Sequence, residues 1–368
     1  MENRERLFEL STGDIVWRDG ENKIIAIPFS GPRKVVGTSL LNGGYREDLV
    51  GVFNHNCGPD DGSDCQLRAA TYLEHLQLTA ETAGLAPEKA TGMGTAADME
   101  NVAIVANGYK ELTVTAIVTG GVEGNGGRAG DPATYYQPVE KTGVHKPGTI
   151  NIILVIDADM PPGTMTRALV TCTEAKTAAL QELMAGSLYS TGLATGSGTD
   201  QTLIIANPAS PLYFEGAGKH NKVGELIGVT VKQAVTEALQ RQTGLSPKKQ
   251  HSMLRRFQRF GITGESLWQY YHAKVSQPMD HSCFAAALDR LDKDSYTVVC
   301  ASLYVHLLDQ LLWGLLTPTE IMTAANELLA ALIARHDENY PPLAQAELEP
   351  CLQAWMQAVV ICVEADVK

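Results

Sequence analysis

A hydroxyl stands at the mouth of an apolar run in the segment HKPGTINIILVIDADMP, residues 145–161. Gly148 permits close approach of backbone or a positive φ, and Thr149 follows it. Thr149 thus presents an oxygen nucleophile where a buried strand begins. His145 lies just upstream and His220 far downstream, and either could take its proton. Asn125 and Asp200 lie in glycine-rich loops, where an amide could stabilise an oxyanion and a carboxylate could orient the base. All five residues fall in loops or at element boundaries, where active-site groups concentrate. A hydroxyl, a base and amide donors together suit hydrolysis of an amide.

Other readings compete. GGVEGNGG (120–127) and TGSGTD (195–200) are the kind of loop that cradles phosphate, but neither matches GxxxxGK[ST], and the first lacks a strand-loop-helix setting. His145, His220 and Asp200 could converge on a metal, yet there is no HExxH and no paired Cys/His spacing. No metal of the protein's own is therefore expected. Each histidine taken singly also fits a satisfied structural residue, and Thr149 could simply begin a strand.

These residues must be positioned by a mixed scaffold. The first 45 residues read as strands with tight turns, with a hairpin at Asp19-Gly20. Residues 66–84 look helical, and a second hairpin is expected near Asn107-Gly108. Ile150 to Ile156 form a nearly unbroken apolar strand, covered on both faces. The next segment reads as a helix, with Thr164 as N-cap and Gly186 as its stop. At about 100° per residue, Lys176 falls inside the apolar stripe of that helix and Glu174 on the opposite face. Lys176 either snorkels or enters a polar site beneath the helix. A further helix spans about Asn221 to Gln240, where Gly224 and Gly228 imply close packing against a sheet or ligand. After residue 245 glycine nearly disappears and amphipathic helical patterns take over. The division is residues 1–245 as the core and 246–368 as an all-helical C-terminal domain.

The chain has 368 residues, 44% hydrophobic and 19% charged, so it is globular. Its formal net charge of -13 argues against nucleic-acid binding. The apolar stretch Val298 to Leu316 carries His306, Asp309 and Gln310 and reads as a buried helix, so no membrane partner is expected. Seven scattered cysteines without a CxxC, and a charged N-terminus without a signal-peptide core, point to a reduced, cytoplasmic setting. A homo-oligomer is compatible with everything in the sequence.

Five segments together resemble the adenosylcobinamide amidohydrolase family of corrinoid salvage: RAGDP (128–132), PGTINI (147–152), TEAKTAAL (173–180), TGSGTD (195–200) and GKHNKVGELIG (218–228). The resemblance spans roughly residues 30–242. It implies hydrolysis of the aminopropanol amide of adenosylcobinamide to adenosylcobyric acid, with cobalt carried by the substrate and no cofactor of the protein's own. It also implies substrate contacts from Arg128, Asp131, Asn151, Glu174, Gly196, Gly198, Thr199, Gly224 and Glu225. A corrinoid-binding protein or chaperone that has lost hydrolysis is the alternative. The strand at 150–157 and its following helix are also similar to the self-processing β-peptidyl aminopeptidases. That likeness implies an αββα two-sheet sandwich core within an α+β fold. It makes Thr149 the nucleophile and Gly148–Thr149 the bond cleaved in processing, although His145 could act as base with no cleavage.

Overall fold

The computed structural model describes residues 4–58, 66–133, 136, 149–336 and 342–367. His145 and the Gly148–Thr149 bond lie outside the described residues. The chain divides into two compact units, Met1–Ser246 and Pro247–Lys368.

In the first unit the strands are β1 (Arg4–Glu9), β2 (Ile15–Asp19), β3 (Ile24–Pro28), β4 (Lys34–Gly37), β5 (Gly44–Arg46), β6 (Gly51–Asn56), β7 (Ala90–Thr95), β8 (Ala103–Tyr109), β9 (Leu112–Gly120), β10 (Gly126–Gly127), β11 (Ile150–Ile156), β12 (Gly196–Ser197) and β13 (Gln201–Ala206). Its α-helices are α1 (Tyr72–Thr82), α2 (Pro162–Glu182) and α3 (Lys222–Thr243). One sheet has the order β1-β2-β3-β6-β7, the other β5-β4-β13-β11-β9-β8, and β10 pairs with β12 in a short ribbon. Most neighbours are antiparallel, but β6 with β7 and β11 with β13 are parallel.

Side-chain alternation along β11 shows how the layers stack. Ile150, Ile152, Leu154 and Ile156 join Met165 and Leu180 of α2 and Val231 and Val235 of α3 in one apolar cluster. Ile153 and Val155 point the other way, into a cluster with Ile25, Ile27, Val52 and Met93 of the first sheet. The far face of that first sheet, with Ile24 and Phe53, is covered by Leu76 and Ala80 of α1. The order is therefore helix, sheet, sheet, helix: an αββα sandwich whose central strand is buried along its whole length. Strands buried on both faces need no polar alternation, so β11 reads as an apolar run broken only by Asn151.

Three local expectations shift. The β8–β9 turn is Lys110-Glu111, because Tyr109 pairs with Leu112; Asn107 and Gly108 belong to the strand. Lys110 takes the positive φ of 53° that the turn needs. Helix α2 begins behind Pro161 with Pro162 in its first turn, and Thr164 donates to the Glu215 carbonyl at 2.8 Å instead of capping. It ends at Glu182, before Met184 at φ 50°, and Gly186 plays no part in stopping it. Cys57 is disulfide-bonded, which departs from the expectation of uniformly reduced thiols.

The second unit is helical among its described residues: α4 (Met253–Phe257), α5 (Gly264–Lys274), α6 (His281–Lys293), α7 (Ser295–Leu312), α8 (Pro318–Ala334) and α9 (Leu348–Ala365). Trp355 stacks on Phe257 with ring centroids 4.6 Å apart at the centre of its own core. Arg259 is buried there and forks onto Asp309 at 2.7 and 2.6 Å. No described helix is long and apolar enough to cross a membrane.

Behind the first sheet, His55 of β6 meets His75 of α1, their Nδ1 and Nε2 atoms 3.3 Å apart. The Arg68 N–H donates to His75 Nδ1 at 3.1 Å, so the His75 proton sits on Nε2 and is donated to His55. Burial pushes His55 down to about 3 and lowers His75 as well, so both rings are neutral in the fold. Unfolded histidines take up protons below about pH 6.5 while these cannot, so stability falls with pH in the window between 6.5 and 3. Urea melts should show the first unit losing roughly 2 kcal/mol from His55 alone between pH 6.5 and 5. A shallower acid slope is expected for His55→Gln, and an equal slope would contradict the neutral pair.

Candidate active site

Parallel β11 and β13 begin at the same end of the sandwich, and the chemistry-bearing residues collect there. Thr149, just ahead of β11, is 2% exposed. Its hydroxyl donates to the Thr199 carbonyl at 2.7 Å and approaches Asn151 Oδ1 at 3.5 Å. The hydroxyl is thus held in one orientation, beside an amide.

Asp200 is the hub of this end. Its Oδ1 accepts from the Ile150 N–H at 2.8 Å and from the Ser197 hydroxyl at 2.6 Å. Its Oδ2 accepts from the Ser197 N–H at 3.0 Å and is ion-paired with Lys176. Lys176 therefore does enter a polar site beneath α2, with its side chain 10% exposed, while Glu174 faces outward. Gly196 makes the pairing possible, because a Cβ there would collide with both Asp200 and the Lys176 ammonium. Four residues before Lys176, the Cys172 thiol is pushed up to about 12 by burial, which leaves it unreactive.

The ribbon of β10 and β12 adds the next residues. Gly126 pairs with Ser197 and Gly127 with Gly196, so buried Asn125 lies next to the hub. Beyond the ribbon, Asp131 accepts from the Arg128 N–H at 2.7 Å and the Ser187 hydroxyl at 2.6 Å, closing the loop that displays the exposed Arg128 side chain. Gly198 and Thr199 form the turn between Ser197 and Asp200.

Between the sheets lies a polar ladder that the sequence reading reached only at Asn151. Asn151 Nδ2 donates to Asn54 Oδ1 at 2.8 Å and to the Gly94 carbonyl at 3.1 Å. Asn54 donates in turn to the Thr119 hydroxyl at 2.7 Å. Asn151 is fully buried and Asn54 is 4% exposed. Amides this deep persist when their hydrogen bonds are made, and here they tie β6, β7, β9 and β11 together beside Thr149. The available signal was a polar residue interrupting each apolar strand, in GVFNHN and INIILVI.

The structure separates four expected residues from this group. Lys222 lies 4.6 Å over the Tyr109 ring, at the β8–β9 turn, and β9 carries Val114 opposite Ile156 at the other end of β11. Helix α3 therefore starts at the far end of the sandwich and finishes near Gly121, which sits against Gln242. His220, two residues before α3, thus lies at the other end of the sandwich from Thr149. Gly224 packs against the Gly218 backbone, Glu225 pairs with Lys222 at 2.5 Å, and Glu174 pairs with Lys219 at 3.0 Å. All three have local structural partners there. Among the described residues Asp200 meets no histidine, and it fixes the first residue of β11. No group of three or more His, Cys, Asp or Glu is placed to hold a metal among the described residues.

The site so assembled offers an oriented hydroxyl, a neighbouring ion pair and a rigid bank of amides. The held hydroxyl is suited to attack on a carbonyl.

A curated relative, the uncharacterized protein MJ1613 of Methanocaldococcus jannaschii, is 35% identical over 233 residues, which is 60% of this chain and 88% of that protein. Among solved structures, the PH0078 protein from Pyrococcus horikoshii OT3 aligns over 64% of this chain and 82% of its own at 11% identity, with a TM-score of 0.33. A Burkholderia sp. beta-aminopeptidase aligns over 64% and 81% at 15% identity, with a TM-score of 0.31. At TM-scores this low neither adds to what the strand order establishes. The adenosylcobinamide amidohydrolase profile matches residues 8–247, which is the sandwich and little else. The chain belongs to the adenosylcobinamide amidohydrolase family.

Proposed function

We propose that this protein hydrolyses the aminopropanol amide of adenosylcobinamide to adenosylcobyric acid in cytoplasmic corrinoid salvage, with Thr149 as nucleophile. The observation that carries the reading is the setting of Thr149: a buried hydroxyl at the mouth of β11, next to Asn151 and the Asp200 hub. Rotation about χ1 releases the hydroxyl from the Thr199 carbonyl toward substrate. Its oxygen attacks the amide carbon while its proton passes to a base. The tetrahedral intermediate collapses to an ester on Thr149, and aminopropanol leaves with the proton returned by that base. Water then cleaves the ester and frees Thr149. His145, four residues earlier in sequence, is the candidate base now that His220 is remote. Asn125 and loop amides are the candidate oxyanion donors. Lys176 and Asp200 act as positioning residues through the Ile150 N–H. Cobalt enters with the substrate, and the reaction asks for no cofactor from the protein.

Incubation with adenosylcobinamide should release aminopropanol and adenosylcobyric acid. Corrinoid binding without release would instead favour a corrinoid carrier. Thr149→Ala should lower turnover by about a thousandfold or more while corrinoid binding persists, by analogy with removal of other nucleophiles. Normal turnover in that variant would return Thr149 to a strand-starting role. Asp200→Asn strands the Lys176 ammonium and should cost about 3 kcal/mol in urea unfolding. The double variant with Lys176→Met should recover part of that loss, as a coupled pair does. A chain ending at Ser246 should melt cooperatively and keep its turnover, because the family match stops at residue 247. A folded but inactive truncation would place part of the chemistry in the helical unit.

A further inference from the structure

β7 is the last strand of its sheet, so one edge has no strand partner among the described residues. Gly94 presents both of its peptide groups to side chains. Its N–H donates to the Tyr72 phenolic oxygen at 2.9 Å, and its carbonyl accepts from Asn151 at 3.1 Å. The same Tyr72 oxygen accepts from Gln201 Nε2 at 3.2 Å. Gln201 and Asn151 are register partners on β13 and β11, so the phenol lies beside the amide that adjoins Thr149.

A phenolic oxygen can accept two hydrogen bonds and donate one. Both acceptor directions of Tyr72 are filled by N–H groups, which cannot accept its proton. No group among the described residues is recorded as accepting it. Tyr72 is half-buried, so its proton is open to a partner from outside the chain. Its placement is also tightly held. Tyr72 opens α1, whose start is fixed by a capping box between Thr71 and Glu74. The His75 ring stacks behind it at 6.3 Å and 16°. At Gly94 a Cβ would sit 2.8 Å from the Tyr72 oxygen, so a side chain there would displace the phenol.

We infer that the Tyr72 hydroxyl is a catalytic hydrogen-bond donor, given to the carbonyl oxygen of the amide that Thr149 attacks. This rests on the proposed hydrolysis. The two N–H bonds pin the oxygen and leave its proton facing outward, ready before substrate arrives. As the carbonyl becomes an oxyanion the bond strengthens, and no protein group has to move. Burial raises the phenol above its ordinary range, so the donor keeps its proton at neutral pH.

The test is Tyr72→Phe in the full chain, which keeps the ring and removes the hydroxyl. Steady-state hydrolysis of adenosylcobinamide should show kcat reduced about a hundredfold with KM changed less than about threefold. Equal kcat in variant and wild type overturns the inference and leaves the amidohydrolase reading intact. An inactive wild type overturns both. If Tyr72→Phe fails to fold, Tyr72→3-fluorotyrosine keeps the hydroxyl and makes it more acidic. Activity should then be lost at lower pH than in wild type, and an unmoved alkaline limb overturns the assignment.

Discussion

One carboxylate holds the active end of the sandwich together. Asp200 takes the first N–H of β11, both donors of Ser197 and the Lys176 ammonium, drawing a strand, a ribbon and a helix to one point. Charges that are nearly dry are costly unless paired and fully hydrogen-bonded, and all four bonds here meet that condition. The consequence reaches Thr149. With Ile150 fixed at its nitrogen and the Thr149 hydroxyl bonded to Thr199, the nucleophile enters the reaction with little freedom left to lose. Removing the carboxylate would loosen the strand entrance before it touched any reacting atom.

The space between the sheets has a second design constraint. Apolar Ile153, Val155 and Ile117 fill most of it, yet Asn54, Asn151 and Thr119 occupy the end nearest Thr149. An apolar triad of similar size would serve stability as well or better. The amides instead pin the register of the two sheets at the place where substrate must enter. Register matters here because a one-residue slip of β11 would send Asn151 to the helix side and bring Ile150 or Ile152 inward.

How much of this was legible follows from the kind of signal each residue leaves. Apolar period and turn chemistry exposed β11, α2, α3 and the change of character near residue 245, because those depend on neighbours in sequence. Lys176 betrayed itself as a charge in an apolar stripe. His220 misled, since it lies in a matched motif while α3 carries it to the far end, and only the direction of that helix decides the matter. Tyr72, Asn54 and Gln201 were missed because their meaning is tertiary. Each is an ordinary residue in its own segment and becomes informative only when the free edge of β7 meets Asn151. The boundary errors at Thr164 and Gly186 have a local cause: prolines start α2, and Met184 accepts the left-handed backbone that glycine usually takes.

The two halves of the sandwich solve the problem of buried ionisable groups in opposite ways. Behind the first sheet, His55 and His75 stay neutral, because burial lowers both imidazoles. At the active end, Lys176 and Asp200 form an ion pair shielded from water. In acid the histidines must be driven to ionise against burial, which weakens the contact of α1 with β6, and α1 is also the element that supplies Tyr72.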